Sequence, residues 1–363
     1  MKKLWQSMFR AEQYSEITLD AQHHSLKTLT IADFNYLGLS ALASQSLQWF
    51  EAVSSDPPPP ELAPYFNLYL GATYYQMHEY DKASELIESC RPIIAGKGHV
   101  FNGIGCSWLR GVNSYTQHIG TAQATILATP ELIFQSPHEQ ISVAKLCFLA
   151  SADTAYFTKF SSGLIRSFLE YRNDESALLI CIINPSDDAK LWVAEHKSEL
   201  AVSGVFFAHT FGPDNKTYYA SSRFLLAPQL LELLDCGVFH IDVDTLFTAP
   251  TRTLSLGIEH LDAAFTEQDW RLPWQKCQAG KVFMGNTPAG HLMAEVISTY
   301  CKTVYNEALD QWFLDQNGLE YYRRTIELDP SINFVNLHEI PEIRDVLFSP
   351  TGSKKKALEG KLF

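Results

Sequence analysis

The chain has 363 residues, 46% of them apolar, and a formal net charge of −13. One hydrophobic core rarely grows past about 250–300 residues, so two domains are expected. The acidic balance excludes a non-specific nucleic-acid binder, which needs a surplus of lysine and arginine on one face, and no run approaches the ~18 uninterrupted apolar residues of a membrane helix.

The first 140 or so residues read as helices. Met1-Lys2-Lys3 is basic, but Gln6, Ser7, Arg10 and Glu12 interrupt what would be the apolar core of a signal peptide, so a soluble, cytoplasmic chain is expected. Seven cysteines, at 90, 106, 147, 181, 236, 277 and 301, are scattered without Cys-x-x-Cys spacing and read as reduced, buried thiols. The segments Tyr65 to Tyr75 and Tyr80 to Cys90 place Leu70, Gly71, Tyr74, Tyr80, Ala83 and Ile87 at a spacing that resembles a tetratricopeptide repeat. Small residues there let two antiparallel helices approach. Leu37-Gly38 and Ile104-Gly105 repeat the pair, and the three glycines lie 33 and 34 residues apart, matching the repeat's period. A generic helical bundle is the alternative. The boundary is expected near residues 135 to 142, giving a helical domain over 1–140 and an α/β domain over 141–363.

From Val143 the period changes. Val143 to Ala150, Ala177 to Pro185 and Gly204 to Ala208 are strand candidates, separated by helical patterns over Phe160 to Tyr171 and Ala189 to Leu200. A further helix surrounds Arg223. Strands alternating with helices imply right-handed crossovers and a mainly parallel sheet.

Gly237 to Phe247 then gives an apolar strand ending in Asp242-Val243-Asp244. On an extended backbone residues two apart share a face, so both carboxylates would converge at the strand's carboxyl end, where a parallel sheet opens into its ligand crevice. Two oxygen ligands there suit Mn²⁺ or Mg²⁺, which keep positions for water and for a substrate's phosphates. The plain alternative is a solvated strand-end turn. With the helix Arg223 to Leu231 just upstream, the stretch resembles the Asp-x-Asp segment of GT-A fold glycosyltransferases. The resemblance implies a Rossmann-like catalytic domain with Asp242 and Asp244 holding the metal.

Other segments extend the resemblance over roughly residues 143 to 356. Ala150 to Phe157 follows the first strand as the nucleoside-binding loop does; by resemblance Asp153 accepts a hydrogen bond from the base and Tyr156 packs on it. The alternative is a helix cap followed by a core aromatic. Arg223 resembles the arginine that contacts the nucleotide or secures the first-strand loop; a surface ion pair is its alternative. Lys276 to Pro288 is similar to the segment lining the donor-sugar side of the cleft, with Gly285 and Asn286 facing sugar hydroxyls, though they suit a β-turn equally. Asp315-Gln316, following Trp312-Phe313, resembles the polar pair that retaining enzymes of the family-eight class set against the transferred sugar. Asp315 would orient a hydroxyl, or act as base if the enzyme inverts, and Gln316 would lie near the anomeric carbon. A helix C-terminal turn at Asn317-Gly318 is the alternative. Phe348 to Lys356 resembles the tail whose glycine and lysine close over the diphosphate, which singles out Lys354; three lysines near a C-terminus also make a common solvated tail.

The sequence departs from the family at one point. Many members carry a histidine three residues before that glycine as third metal ligand, and here the position holds Ser349. His338, the nearest downstream histidine, has the wrong spacing. What the resemblance implies is a metal-dependent hexosyltransferase-type enzyme moving a sugar from a nucleotide diphosphate sugar, expected to be a UDP-sugar, to a glycan or protein hydroxyl chosen by the N-terminal repeats. A catalytically silent repeat-bearing scaffold is the alternative. A nucleotidyltransferase ranks lower, because Ala150 to Phe157 has neither glycine nor a cation for a phosphate loop.

Overall fold

The structure, a computed structural model, describes residues 2–53, 58–105, 130–134, 144–305, 311–327 and 329–350. The chain forms two compact units. The first comprises Met1–Ala124, Gln268–Cys277 and Asn306–Tyr321; the second comprises Thr125–Glu267, Gln278–Tyr305 and Tyr322–Phe363. This differs from a single cut near residue 140, because two later stretches join the N-terminal helices. The expected boundary at 135–142 itself lies outside the described residues.

In the first unit, helices α1 (Lys2–Arg10), α2 (Tyr14–Ala21), α3 (Ile31–Ala43), α4 (Gln48–Val53), α5 (Ala63–Gln76) and α6 (Tyr80–Ile94) follow one another. Thr30 and Asp33 start α3 with a reciprocal capping box: the Asp33 amide donates to Thr30 Oγ1 and the Thr30 amide to Asp33 Oδ2. The pair α5 and α6 is an antiparallel hairpin, since Asn67 meets Ser89 at one end and the Tyr75 ring meets Tyr80 at the other. Gly71 makes its close approach possible, because a Cβ there would lie 2.7 Å from Ile87 Cγ1. Gly38 does the same for α3 and α5, where a Cβ would fall 2.2 Å from the Tyr69 ring. Gly105 differs: it closes a 3₁₀ helix, His99–Gly105, and the residues after it lie outside the described set. Trp274 from the later stretch is fully buried, and Gly103 leaves room for its indole.

The second unit is a mixed α/β body around an eight-stranded, mostly parallel sheet of order β1-β4-β3-β2-β5-β8-β7-β9. The strands are β1 (Glu131–Phe134), β2 (Leu146–Asp153), β3 (Ser176–Ile183), β4 (Val205–Phe211), β5 (Gly237–Ile241), β7 (Ala263–Glu267), β8 (Cys277–Met284) and β9 (Phe334–Asn336). A separate ribbon pairs β6 (Leu246–Phe247) with β10 (Leu347–Phe348). Helices α7 (Thr154–Tyr171), α8 (Asp187–Val202) and α9 (Lys216–Leu234) connect β2 to β3, β3 to β4 and β4 to β5; α10 (Thr251–Ile258) and α11 (Pro288–Val304) follow. Strand β3 is buried along its whole length, which is why it reads as an unbroken apolar run. Strand β2 begins at Leu146 and runs to Asp153, three residues later than its apolar run suggests, because its pairing with β3 starts at Leu146 opposite Ser176. Strand β1 corrects the helical reading of the first 140 residues. Its four residues pair antiparallel with β4 and form the edge of the sheet, a tertiary contact that so short a run cannot announce.

The order of strands sets the site. From β2 the chain steps outward through β3 to β4, then returns so that β5 lies on the other side of β2, parallel to it. The connections leaving the carboxyl ends of β2 and β5 therefore diverge, and a crevice opens between them.

Candidate functional site

The second unit carries the site at the carboxyl ends of β2 and β5. Ala150 and Ile241 are partners across this strand pair, so Asp153 and Asp242, each just beyond, belong to the same edge of the sheet. Strand β5 stops at Ile241. Asp242 to Thr245 form a turn closed by the Thr245 amide donating to the Asp242 carbonyl at 3.0 Å. The expectation that Asp242 and Asp244 share a face by strand alternation therefore fails, because the backbone between them is no longer extended. Their surroundings differ too: the Asp242 side chain is 45% exposed, whereas Asp244 as a residue is only 7% exposed. Val243 between them is buried in the core of the sheet.

Arg223 fixes the turn. It projects from α9, is itself buried, and donates from Nη1 to Asp242 Oδ1 at 2.7 Å and to the Ile241 carbonyl at 3.2 Å. The surface ion pair considered as its alternative is thus excluded on the arginine's side. Beside it His240, fully buried, stacks on Phe224 at 5.0 Å between ring centroids, and burial pushes its pKa down to about 3, with Arg223 adding to the effect.

A second strand reaches the same end. Strand β8 runs antiparallel to β5 with Ile241 opposite Lys281, which brings Gly280 against Asp242. A Cβ at Gly280 would lie 2.8 Å from Asp242 Oδ2, so a larger residue there would push that carboxylate aside. Lys281 is partly buried and donates from Nζ to the Leu347 carbonyl. Burial lowers its pKa from the usual lysine value, and the neighbouring Asp242 opposes the shift. From below, the β6–β10 ribbon brings Ser349 to the turn, where its Oγ lies 3.0 Å from Thr245 Oγ1. The residue standing in the histidine position thus meets the Asp242–Thr245 turn through the hydroxyl next to Asp244.

The remaining expected residues are placed as follows. Asp153 caps α7, its Oδ1 accepting from the Tyr156 amide at 2.7 Å, and Tyr156 is exposed with its ring against Phe160. Ala150 is fully buried in β2. Gly285 and Asn286 are not brought to this edge. The register of β5 with β8 puts them beyond Met284, which faces Val238 near the start of β5. That is about 17 Å from Asp242 at ~3.4 Å per residue. Asn286 there donates to Asp235 Oδ1 at 2.9 Å, and a Cβ on Gly285 would meet the Leu261 carbonyl oxygen at 2.3 Å. The glycine that serves the crevice is Gly280 instead. Asp315 and Gln316 belong to the first unit and open the helix Leu314–Ile326, so they do not stand in a C-terminal turn at Asn317-Gly318. Asp315 is buried, with Oδ1 accepting from the Gln316 amide at 2.8 Å. His338 sits in a 3₁₀ turn, Leu337–Glu339. Lys354 lies outside the described residues.

Sequence reading missed Gly280, Lys281 and Thr245 as parts of the site. The signal that finds them is strand direction, since only an antiparallel β8 sets positions 280 and 281 beside Asp242.

Among the described residues no group of three or more His, Cys, Asp or Glu side chains converges. The oxygens present are hard ones: Asp242 Oδ2 over Gly280, the Asp244 carboxylate, and the hydroxyls of Thr245 and Ser349. They fit Mg²⁺ or Mn²⁺ holding much of its water, and they do not fit a structural zinc.

No family model matches the chain, and no curated protein does. Among solved structures, the chain is similar to the glycosyltransferase GlyE of Streptococcus pneumoniae at 10% identity and a TM-score of 0.39, over 58% of this chain and 55% of that one. It is similar to the bifunctional glycosyltransferase WbbM at 17% identity and a TM-score of 0.39, over 58% and 46%. A third similar structure is mouse xyloside xylosyltransferase 1, at 10% identity and a TM-score of 0.34, over 53% and 84%. The match thus spans about half the length of the first two, 55% and 46%. Among the described residues no helix is long and apolar enough to cross a membrane.

Proposed function

We propose that the chain is a metal-dependent glycosyltransferase of the hexosyltransferase type, taking its sugar from a nucleotide diphosphate sugar, by preference a UDP-sugar. The observation that carries this reading is the Asp242–Thr245 turn, held by a buried arginine at the point where the parallel sheet reverses its strand order. In parallel α/β sheets, ligands bind in that crevice.

Asp242 and Asp244 would hold Mn²⁺ or Mg²⁺, which when bound offsets charge on the diphosphate. Arg223 keeps the Asp242 carboxylate in one orientation before any ligand arrives, so no reorganisation is required during the reaction. Gly280 keeps Oδ2 of the same carboxylate uncovered. Asp153 has one carboxylate oxygen committed to its helix cap, which fixes the group and leaves the other for the base or ribose, with the exposed Tyr156 ring beside it. Transfer breaks the bond between the anomeric carbon and the diphosphate oxygen and forms one to the acceptor oxygen. Charge builds on the departing diphosphate as it leaves. For Asp315 and Gln316 we retain the role of contacting the transferred sugar, and for the N-terminal helices that of choosing the acceptor, a polypeptide or a long glycan.

The reading is tested by donor hydrolysis and by thermal shift with a panel of nucleotide sugars, each with Mn²⁺ and with EDTA. A UDP-sugar should raise the melting temperature and be slowly hydrolysed when Mn²⁺ is present. A chain that responds to no nucleotide sugar would be a scaffold.

A further inference from the structure

Lys281, in β8, is a partly buried cation that the resemblance to a known family gave no role of its own. It faces Ile241 across the antiparallel β5–β8 pair, one position from Asp242, and lies close enough for that carboxylate to act on its charge. Its ammonium has three donors, and one is used by the Leu347 carbonyl. Among the described residues no carboxylate closes an ion pair with it, whereas the Asp242 carboxylate is already bound at 2.7 Å by Arg223. A partly buried ammonium without a counter-charge in contact is costly to hold, because burial removes part of its hydration. The cost is offset if an anion completes its surroundings. At the turn, Arg223 and Lys281 offset part of the charge of Asp242 and Asp244, which weakens the repulsion of an incoming anion.

We propose that Lys281 is a built-in cation for the donor's diphosphate, so that the site retains a diphosphate-bearing ligand without metal, and more tightly with it. The inference rests on the functional reading above and assigns Lys281 a binding role distinct from that of the metal-holding carboxylates. The alternative is a latch: Lys281 would only tie the β10 segment to the sheet through the Leu347 carbonyl. Glutamine and arginine separate the two roles. Lys281→Gln keeps a hydrogen-bond donor without charge, and Lys281→Arg keeps the charge.

The full chain would be titrated with UDP and with uridine, in EDTA and in Mn²⁺, with binding read by thermal shift and calorimetry. In EDTA the wild-type protein should bind UDP at least tenfold more tightly than uridine. Lys281→Gln should lose most of that preference, Lys281→Arg should keep it, and both should melt near the wild-type temperature when unliganded. A Lys281→Gln protein that keeps the wild-type preference in EDTA overturns the proposal in favour of the latch. Equal binding of UDP and uridine by the wild-type protein in EDTA also overturns it, whether or not the variants fold. UDP binding in Mn²⁺ alone would leave the functional reading standing, while no response to UDP in either condition would remove that reading and this one together.

Discussion

The two ends of the β5–β8 pair are a few residues apart and built on opposite principles. At one end, Asp242, Gly280 and Lys281 present charge, partial exposure and a glycine that keeps a carboxylate oxygen uncovered. At the other, Gly237, Gly285 and Gly290 let backbone and rings close on one another: a Cβ on Gly237 would lie 2.8 Å from the Phe283 ring, and one on Gly290 would lie 2.0 Å from the Gly285 carbonyl oxygen. Glycine at the first end leaves room beside a carboxylate, and glycine at the second serves packing. A Gly-Asn pair read from sequence alone cannot reveal which end it occupies, because the answer depends on the direction of the strand that carries it.

The contrast can be broken by mutation, and the largest effect is expected at the charged end. A ligand at a hundred times its dissociation constant stabilises the native state by about 2.7 kcal/mol. Asp244→Ala should lose that Mn²⁺-dependent stabilisation by a UDP-sugar while the unliganded protein still melts cooperatively; an unchanged shift would take Asp244 out of the metal site. At the packed end the signs reverse. Gly290→Ala gains up to ~1 kcal/mol of helix propensity. It also forces a methyl into backbone that cannot swing aside, and overpacking of that kind costs ~1–3 kcal/mol or more. The clash should win, giving a net loss of about 2 kcal/mol in urea unfolding, with nucleotide affinity per folded molecule unchanged.

A smaller effect sharpens the assignment of Gln316. If it contacts the transferred sugar, Gln316→Ala should lower turnover about tenfold, ~1.4 kcal/mol, and leave UDP affinity nearly intact. Equal losses in both would make the residue structural. The smallest expected effect is a pH dependence away from both ends. His209 in β4 is buried with Nε2 unpartnered, and burial, aided by Lys190, lowers its pKa. The fold therefore holds the neutral ring. Its contribution is complete above the unfolded value near 6.5 and is lost as pH falls through the lower folded value, at no more than ~1.4 kcal/mol per pH unit. His209→Leu should flatten the stability profile below pH ~6.5; an unchanged slope would place the acid sensitivity elsewhere.

How much of this was legible in the sequence varies by element. The helices α7 to α9 and the strands β3 to β5 are written plainly, because a parallel strand covered on both faces is an apolar run and each helix carries a cap: Asp153, then Ser186, then Asn215. The Asp242–Asp244 pair and Arg223 could be picked out as belonging together, although strand alternation was the wrong reason, since the turn begins at Asp242. Strand β1 was hidden because a four-residue run, Glu131–Phe134, acquires its state from the strand it pairs with. Gly280 and Lys281 were hidden because antiparallel direction is a property of the sheet. The helix starting at Leu314 runs through Asn317-Gly318, a pair that by itself signals an ending; there tertiary context outweighs the cost of a glycine in the helix. The first unit shows the same limit on a larger scale. Trp274 and Glu320 are buried parts of it, with Glu320 accepting from the Tyr75 hydroxyl, so a chain starting near Ile141 would lose the partners of both and is expected to aggregate.

The Thr245–Ser349 contact spans 104 positions of the chain. Closing a loop of that size costs entropy before any contact rewards it, and such pairings form late. The parallel pairs β2–β3 and β3–β4 rest on neighbours about 30 positions apart and can assemble first, whereas β5 reaches β2 across 91. The turn bearing Asp242 and Asp244 would then be the last part of the sheet edge to be braced, waiting for the β10 segment to arrive. A chain still emerging during synthesis, or one nicked between β9 and β10, would have β2 to β4 in order and the Asp242–Thr245 turn without its Ser349 contact.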